Sequence, residues 1–312
     1  MAYLKRIFVI ILNYNNEVDT IECINSLESI KGYDLQLVIV DNKSKNPKIL
    51  EDYVLGLPNA IFLQTGENLG YAGGNNVGIR YAIEHQADYI AILNNDVIVN
   101  KNSFSEAIKI IDLNEKAAFA GASIIGFEND TIQSQGDLVN FWLLSKSKAI
   151  NRGKKFEARA GFNECSAIIG ACMIFKPSIV DKIGYIPEDY FLYYEELDWC
   201  HKAYNLGYKS YCSLSNYVRH KGSATVDCYN NLSFYYRNRN IVIFLLKRDP
   251  IKLRAVYSIA LLFVKAIVKT LIGYKGKHTN KYLLFCYVDG LLRTTRFKDF
   301  ICSRGLKKKS KT

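Results

Sequence analysis

The chain has 312 residues, 49% of them hydrophobic, enough to bury one large core or a core plus an appendage. Its formal charge of +11 is uneven: residues 227–312 hold 19 Lys and Arg against 4 Asp, a net of +15, whereas residues 1–226 hold 22 basic and 26 acidic groups, a net of −4. A nucleic-acid binder would need a basic body as well as a basic tail, so the body argues against that class. The eight cysteines (23, 165, 172, 200, 212, 228, 286, 302) form no Cys-x-x-Cys pair and read as reduced core thiols of a cytosolic protein.

Arg6 to Leu12 is a buried strand that ends in Asn13-Tyr14-Asn15-Asn16. A helix follows, with Val18, Ile21, Ile24 and Leu27 expected on its dry side. Leu35 to Val40 is a second strand, ending in Asp41-Asn42-Lys43-Ser44, and Asn46-Pro47 opens another helix. Ile61 to Gln64 is a short strand before the stretch Asn68-Leu-Gly-Tyr-Ala-Gly-Gly-Asn-Asn76, which leads into a helix from Val77 to His85. Those glycines (Gly70, Gly73, Gly74) follow the third strand and lack Gly-Lys-Ser/Thr, so they fit neither a dinucleotide fingerprint nor a P-loop. They read either as a capped, flexible loop or as an anion site built on free N–H groups.

Tyr89 to Leu93 is a fully buried strand that delivers Asn94, Asn95 and Asp96 at its carboxyl end, the end where open α/β sheets bind ligands. Asn-Asn-Asp is good turn chemistry. A carboxylate at the mouth of a core strand also suits a hard cation carrying a diphosphate, Mg²⁺ or Mn²⁺. This strand–helix alternation implies an α/β fold with a doubly wound, mostly parallel sheet, and the Asn/Asp clusters converge on one edge as a nucleotide site would.

Beyond it, Phe104 to Leu113 reads as a helix, Ala117 to Ile125 and Cys165 to Phe175 as buried strands, and Lys146 to Arg159 as an exposed loop or hairpin. Ser178 to Ile183 is a helix and Lys209 to Leu214 a short strand before His220. In Tyr190-Phe-Leu-Tyr-Tyr-Glu-Glu-Leu-Asp-Trp-Cys-His201, the carboxylates Glu195, Glu196 and Asp198 are hemmed by aromatics. That block reads as a helix start whose acids complement the dipole, or as the seat of a general base.

Four of these stretches, Ile10-Ile-Leu-Asn-Tyr-Asn15, Val38-Ile-Val-Asp-Asn-Lys-Ser44, Asn68 to Asn76 and Leu93-Asn-Asn-Asp96, resemble in order and spacing the blocks of inverting family-2 glycosyltransferases, the rhamnosyltransferase-like branch. The resemblance covers roughly residues 6–226. It implies a GT-A fold and a nucleotide-sugar donor, dTDP-L-rhamnose first and a UDP-hexose second. Asn13 and Tyr14 would lie near the base and Asp41 on the base or ribose. Asn68, Gly70, Gly73 and Asn76 would line the donor site with Ser44, Asn94 and Asn95. Asp96 would close the family's Asp-x-Asp signature, whose first position is Asn94 here. His220 would return to the diphosphate as a second metal ligand. Glu196 would be the base, with Glu195 and Asp198 as alternates.

The tail opens with Tyr229 and Phe234-Tyr-Tyr-Arg-Asn-Arg-Asn240, where Arg237 and Arg239 suit phosphates. Ala255 to Tyr274 is apolar but interrupted by Lys265 and Lys269, too short to span a bilayer. It reads as an interfacial amphipathic helix on an anionic membrane, extended by Lys307-Lys-Lys309 and Lys311, or as a solvated helical appendage. The expectation is therefore a catalytic GT-A domain over residues 1–226 and a basic, mostly helical membrane-surface appendage over 227–312. The enzyme would act at the inner face of the cell membrane on a lipid-linked oligosaccharide destined for surface polysaccharide. The rival enzyme class is a nucleotidyltransferase, which would want a basic glycine-rich loop after the first strand; Asn13-Tyr14-Asn15-Asn16 supplies none.

Overall fold

The computed structural model describes residues 4–140, 146–222, 230–248, 251–272 and 277–303. Residues 223–225 after His220, Tyr229, Tyr274 and the basic run Lys307–Lys309 with Lys311 lie outside the described residues.

The chain resolves into two compact units. The first, residues 1–139, 147–191 and 195–222, is built on one sheet. Strands β1 (Arg6–Asn13), β2 (Asp34–Asp41), β3 (Ala60–Gln64) and β4 (Tyr89–Asn94) alternate with helices α1 (Glu17–Ser26), α2 (Lys48–Leu55) and α3 (Gly70–Glu84). They lie parallel in the order β3-β2-β1-β4. Side chains alternate across a strand, so β1 feeds two cores. Ile7, Val9 and Ile11 meet Cys23, Ile24 and Leu27 of α1 on one face, while Phe8 and Ile10 meet Ala72, Ile79 and Ala82 of α3 on the other. Both faces are covered, which is why these strands read as unbroken apolar runs.

Past β4 the sheet is mixed. The later strands β5 (Val97–Ile98), β6 (Ala117–Gly126), β7 (Ile132–Ser134), β8 (Asp137–Asn140), β9 (Lys146–Ala149), β10 (Phe162–Cys165), β11 (Cys172–Phe175) and β12 (Lys209–His220) accompany helices α4 (Ser105–Leu113), α5 (Ser178–Ile183) and α6 (Glu195–Asn205). The order continues β4-β11-β6-β12-β10, with β11 antiparallel to β4 and β6, and β12 parallel to β6. β8 and β9 pair separately as a ribbon. β12 carries an excursion: Cys212 pairs with Gly121 but Tyr217 with Ser123, so four residues of β12 pass one of β6. The excursion is held by Ser123 Oγ donating to Ser213 O at 2.7 Å.

Several local expectations shift. Val18 is 71% exposed; the buried stripe of α1 is Thr20, Cys23 and Ile24. The stretch Cys165 to Phe175 is two strands, β10 and β11, with a loop between them. β12 runs six residues beyond the expected Leu214, so His220 ends a strand. Helix α3 begins at Gly70, seven residues before Val77. Its glycines are close-packing positions: a Cβ on Gly73 would sit 2.7 Å from Leu69 Cβ, one on Gly78 2.5 Å from Ile10 Cγ2, and one on Gly74 would overlap Leu12.

The second unit, residues 140–146, 192–194 and 223–312, is helical: α7 (Asn230–Arg248), α8 (Lys252–Leu271), α9 (Lys277–Leu292) and α10 (Lys298–Ser303). Its core joins Val242, Leu245, Ile259, Leu262, Ala266 and Tyr287. α7 and α9 cross closely, because a Cβ on Gly290 would meet Arg239 O at 2.5 Å. Arg239 is buried, with Nε donating to Thr294 O at 2.8 Å and Nη1 to Asn240 Oδ1 at 2.7 Å. That guanidinium is engaged inside the unit and does not suit the phosphate role its sequence context suggested. Arg237 lies over the Tyr193 ring at 4.0 Å.

Candidate functional site

Every candidate site residue belongs to the first unit. At the carboxyl ends of β1 and β2, Asn13 Nδ2 donates to Asp41 Oδ1 (2.9 Å) and Ser44 Oγ (3.0 Å), and Ser44 N donates to Asp41 Oδ2 (2.9 Å). Thr20 Oγ1 donates to Asn13 Oδ1 at 2.8 Å and receives Asn95 Nδ2 at 3.0 Å, tying in the end of β4. Asn15, at φ 52°, donates its N–H to Ser44 Oγ at 2.8 Å. Tyr14 is half-buried in the same turn. Next to it, Asn42 donates to Asn68 Oδ1 (3.0 Å) and Gly70 O (3.0 Å) and accepts Leu69 N (2.9 Å), fixing the entry to α3. Asn13, Asp41, Ser44, Asn68 and Asn95 are thus brought together, with Asn42 and Thr20 as members the motif reading left out. Asn76 faces elsewhere: fully buried, it donates to Ile186 O at 2.9 Å and Glu188 Oε1 at 2.8 Å.

Asp96 and His220 meet. The strand pairing of Val97 with His220 sets His220 Nε2 3.2 Å from Asp96 Oδ1, and Lys221 N donates to Asp96 O at 3.0 Å. Gln133 Nε2 donates to His220 O at 3.0 Å, which turns Gln133 Oε1 onto His220 Nδ1 at 2.7 Å. An amide oxygen only accepts, so Nδ1 carries the hydrogen, and in the neutral ring the Nε2 lone pair faces the carboxylate. Two acceptors converging on one point form a donor set that fits a divalent cation. Among the described residues no group of three or more His, Cys, Asp or Glu could hold an ion. An ion held here would therefore take its remaining ligands from phosphate or water, the habit of Mg²⁺ and Mn²⁺. Lys221 donates to both Asp19 and Glu22 of α1, strapping the end of β12 to that helix.

The acidic block forms the start of α6, where Glu195, Glu196 and Asp198 occupy the first turn. Asp198 is fully buried under Tyr190, whose hydroxyl donates to its Oδ2 at 3.0 Å, and Glu195 is buried as well. Glu196 is half-buried and accepts Gly170 N at 3.0 Å through Oε1. Burial pushes its carboxyl up to about 7, the Gly170 N–H and Tyr71 hydroxyl pull against that, and the Asp137 charge adds to the rise. Tyr71, in the first turn of α3, is itself pushed well above the usual phenol range, by burial first and then by Glu196 and Glu195. A Cβ on Gly170 would overlap both the Tyr71 hydroxyl and Glu196 Oε1, so a larger residue there would displace both side chains. The two halves of the site share one edge: Asn94 N, at the end of β4, donates to Ala171 O at 3.3 Å, next to Gly170. Tyr71, Gly170, Asp137 and Gln133 are the neighbours that the motif reading gave no role; only burial and through-space charge reveal them.

The chain is similar to known proteins. The model of glycosyl transferase family 2 fits residues 8–184, more than half of the chain. A low-salt glycan biosynthesis hexosyltransferase, Agl10 of Haloferax volcanii, is 29% identical over 200 residues, covering 62% of this chain and 60% of that protein. A dTDP-rhamnosyl transferase, RfbF of Shigella flexneri, is 24% identical over 206 residues, covering 65% of this chain and 64% of that protein. The matched segments thus span less than two thirds of these relatives' own length. Two solved structures share the fold. One is a mannosyltransferase from Pyrobaculum calidifontis, PcManGT, in complex with GDP-Man and Mn²⁺ (TM-score 0.57, 15% identity, 93% of this chain and 88% of that one). The other is Staphylococcus aureus TarS 1-349 in complex with UDP-GlcNAc (TM-score 0.57, 17% identity, 95% and 83%). The fold is GT-A, and the chain belongs to glycosyl transferase family 2.

Proposed function

We propose that the protein transfers a sugar, with inversion, from a nucleoside diphosphate donor to a lipid-linked oligosaccharide of a surface polysaccharide. The donor is dTDP-L-rhamnose, with a UDP-hexose as the second choice; the likeness to a dTDP-rhamnosyl transferase and to a hexosyltransferase supports both. One observation carries the reading: a carboxyl raised to about 7, Glu196, lies on the same sheet edge as the Asp96–His220 pair.

In this mechanism Asn13, Asp41 and Ser44 hold the nucleoside, their hydrogen bonds to one another presetting the edge it meets. Glu196 accepts the proton of the acceptor hydroxyl as its oxygen forms the new bond to the anomeric carbon. The bond from that carbon to the diphosphate breaks, and its electron pair leaves with the nucleoside diphosphate. Asp96 and His220 would hold a divalent metal, whose charge would stabilise that leaving group. Glu195 and Asp198 position α6 and so aim Glu196.

The test is donor hydrolysis over dTDP-rhamnose, UDP-glucose, UDP-galactose and UDP-GlcNAc, in Mn²⁺, Mg²⁺ or EDTA, on wild type and Asp96→Ala. Turnover of one donor, lost in EDTA and in Asp96→Ala, is the expected result. Turnover that survives both would remove the metal from the mechanism.

A further inference from the structure

Helix α8 is apolar on two opposite sides. Ala255, Ile259, Leu262 and Ala266 face the core of the second unit. On the other side Leu253 (79% exposed), Val256 (58%), Tyr257 (61%), Val264 (54%), Ile267 (45%) and Leu271 (76%) face outward. At about 100° per residue these six fall within an arc of roughly 100°, and the remaining residue of that arc is Ala260. A helix on the surface of a soluble domain normally turns charge outward; this one turns its charges to the flanks. Arg254 and Lys265 flank one edge of the stripe and Lys252 the other.

We infer that this outer face of α8 is the surface by which the protein lies on an anionic lipid bilayer, the helix parallel to the membrane plane. No helix among the described residues is long and apolar enough to cross a membrane, so the contact is interfacial. Charge selects lipid over a second copy of the chain. Residues 227–312 carry a net +15, and two copies meeting through this stripe would bring like rows of Arg and Lys together, whereas anionic headgroups pair with them. The long basic side chains suit the headgroup level, their stems on the apolar stripe and their charges in the polar layer. The inference deepens the proposed lipid-linked acceptor and rests on that reading for its purpose, since an enzyme held on the bilayer meets such an acceptor in two dimensions.

The experiment is co-sedimentation of the full chain with phosphatidylcholine vesicles, with and without phosphatidylglycerol, alongside hydrolysis of free donor in solution. Wild type is expected to pellet with the anionic vesicles and to be released by salt. The double variant Val256→Glu/Ile267→Glu, both positions exposed, is expected to lose at least about tenfold in vesicle affinity while keeping wild-type circular dichroism and donor hydrolysis. Arg254→Glu/Lys265→Glu is expected to lose the preference for phosphatidylglycerol. Wild type failing to pellet, or the apolar-face variant pelleting like wild type, overturns the inference. A wild-type dimer that Val256→Glu/Ile267→Glu converts to monomer, without vesicle binding, overturns it in favour of a second copy. A chain that pellets but hydrolyses no donor leaves the membrane surface standing and removes the glycosyl-transfer reading instead.

Discussion

The two halves of the site handle polar groups in opposite ways. At the ends of β1 and β2, the carboxylate of Asp41 is surrounded by donors from Asn13 and Ser44, and each amide around it has a partner. At the start of α6, the half-buried carboxyl of Glu196 has the Gly170 N–H at 3.0 Å and the phenol of Tyr71 beside it. Full satisfaction makes the first half rigid, which suits recognition of a fixed shape. Partial satisfaction leaves the second half with a proton affinity near neutral pH, which suits proton transfer.

The largest break in that comparison is Glu196→Gln. It is expected to lower turnover by roughly 10²–10⁴-fold with little change in donor KM. Burial raises the carboxyl, so the folded state prefers it protonated. Its stabilising effect is complete below the pKa of the unfolded chain and is lost as pH rises through about 7. Glu196→Gln should therefore melt at the same temperature as wild type or higher at pH 8. A lower Tm there would make the carboxylate a structural partner instead of a base. In wild type, turnover should rise with pH through a midpoint near 7.

Gln133→Leu comes next. Releasing His220 Nδ1 from its partner should cost roughly 10–100-fold in Mn²⁺ affinity, read by metal titration, and leave the Glu196 midpoint in place. Tyr71→Phe removes a hydroxyl that lowers the Glu196 pKa. The acidic limb of the pH–rate profile should move upward; a change of about 1 kcal/mol would cost about threefold at the old midpoint. An unmoved limb would detach Tyr71 from the base. The smallest effect on chemistry is expected from Gly74→Ala, whose added methyl overlaps Leu12 at the donor edge. It should lower stability by about 1–3 kcal/mol in thermal melts.

Asn13, Asp41 and Asp96 were legible as strand-end residues because that signal is local: each sits one to three residues past a run of apolar strand residues, and strand ends can be read from such runs. His220 was legible only as a partner for Asp96; that β12 would reach it was not, because the excursion at residues 213–216 breaks the alternation that marks a strand. The carboxylates of α6 were legible as an acidic block and no further. Tyr71 and Gly170 lie 125 and 26 residues from Glu196, and no spacing rule links them. The glycines of α3 suggested a loop because low helix propensity was weighed without the packing that overrides it. Residues 255–274 read as an amphipathic helix, but which apolar side would face the core of the second unit was not legible, because a helix apolar on both sides shows no single stripe.

The excursion in β12 separates two stretches of ladder whose alternation is set independently. Cys212 and Tyr217 are five residues apart yet pair with Gly121 and Ser123, two residues apart, so the count of residues between them does not decide which face a side chain takes. The orientation of His220 follows from its own ladder partners, Gly126 on β6 and Val97 on β5. A change of length at residues 213–216 can therefore be absorbed in the excursion, whereas a slip of the register between Tyr217 and His220 would carry the imidazole away from Asp96.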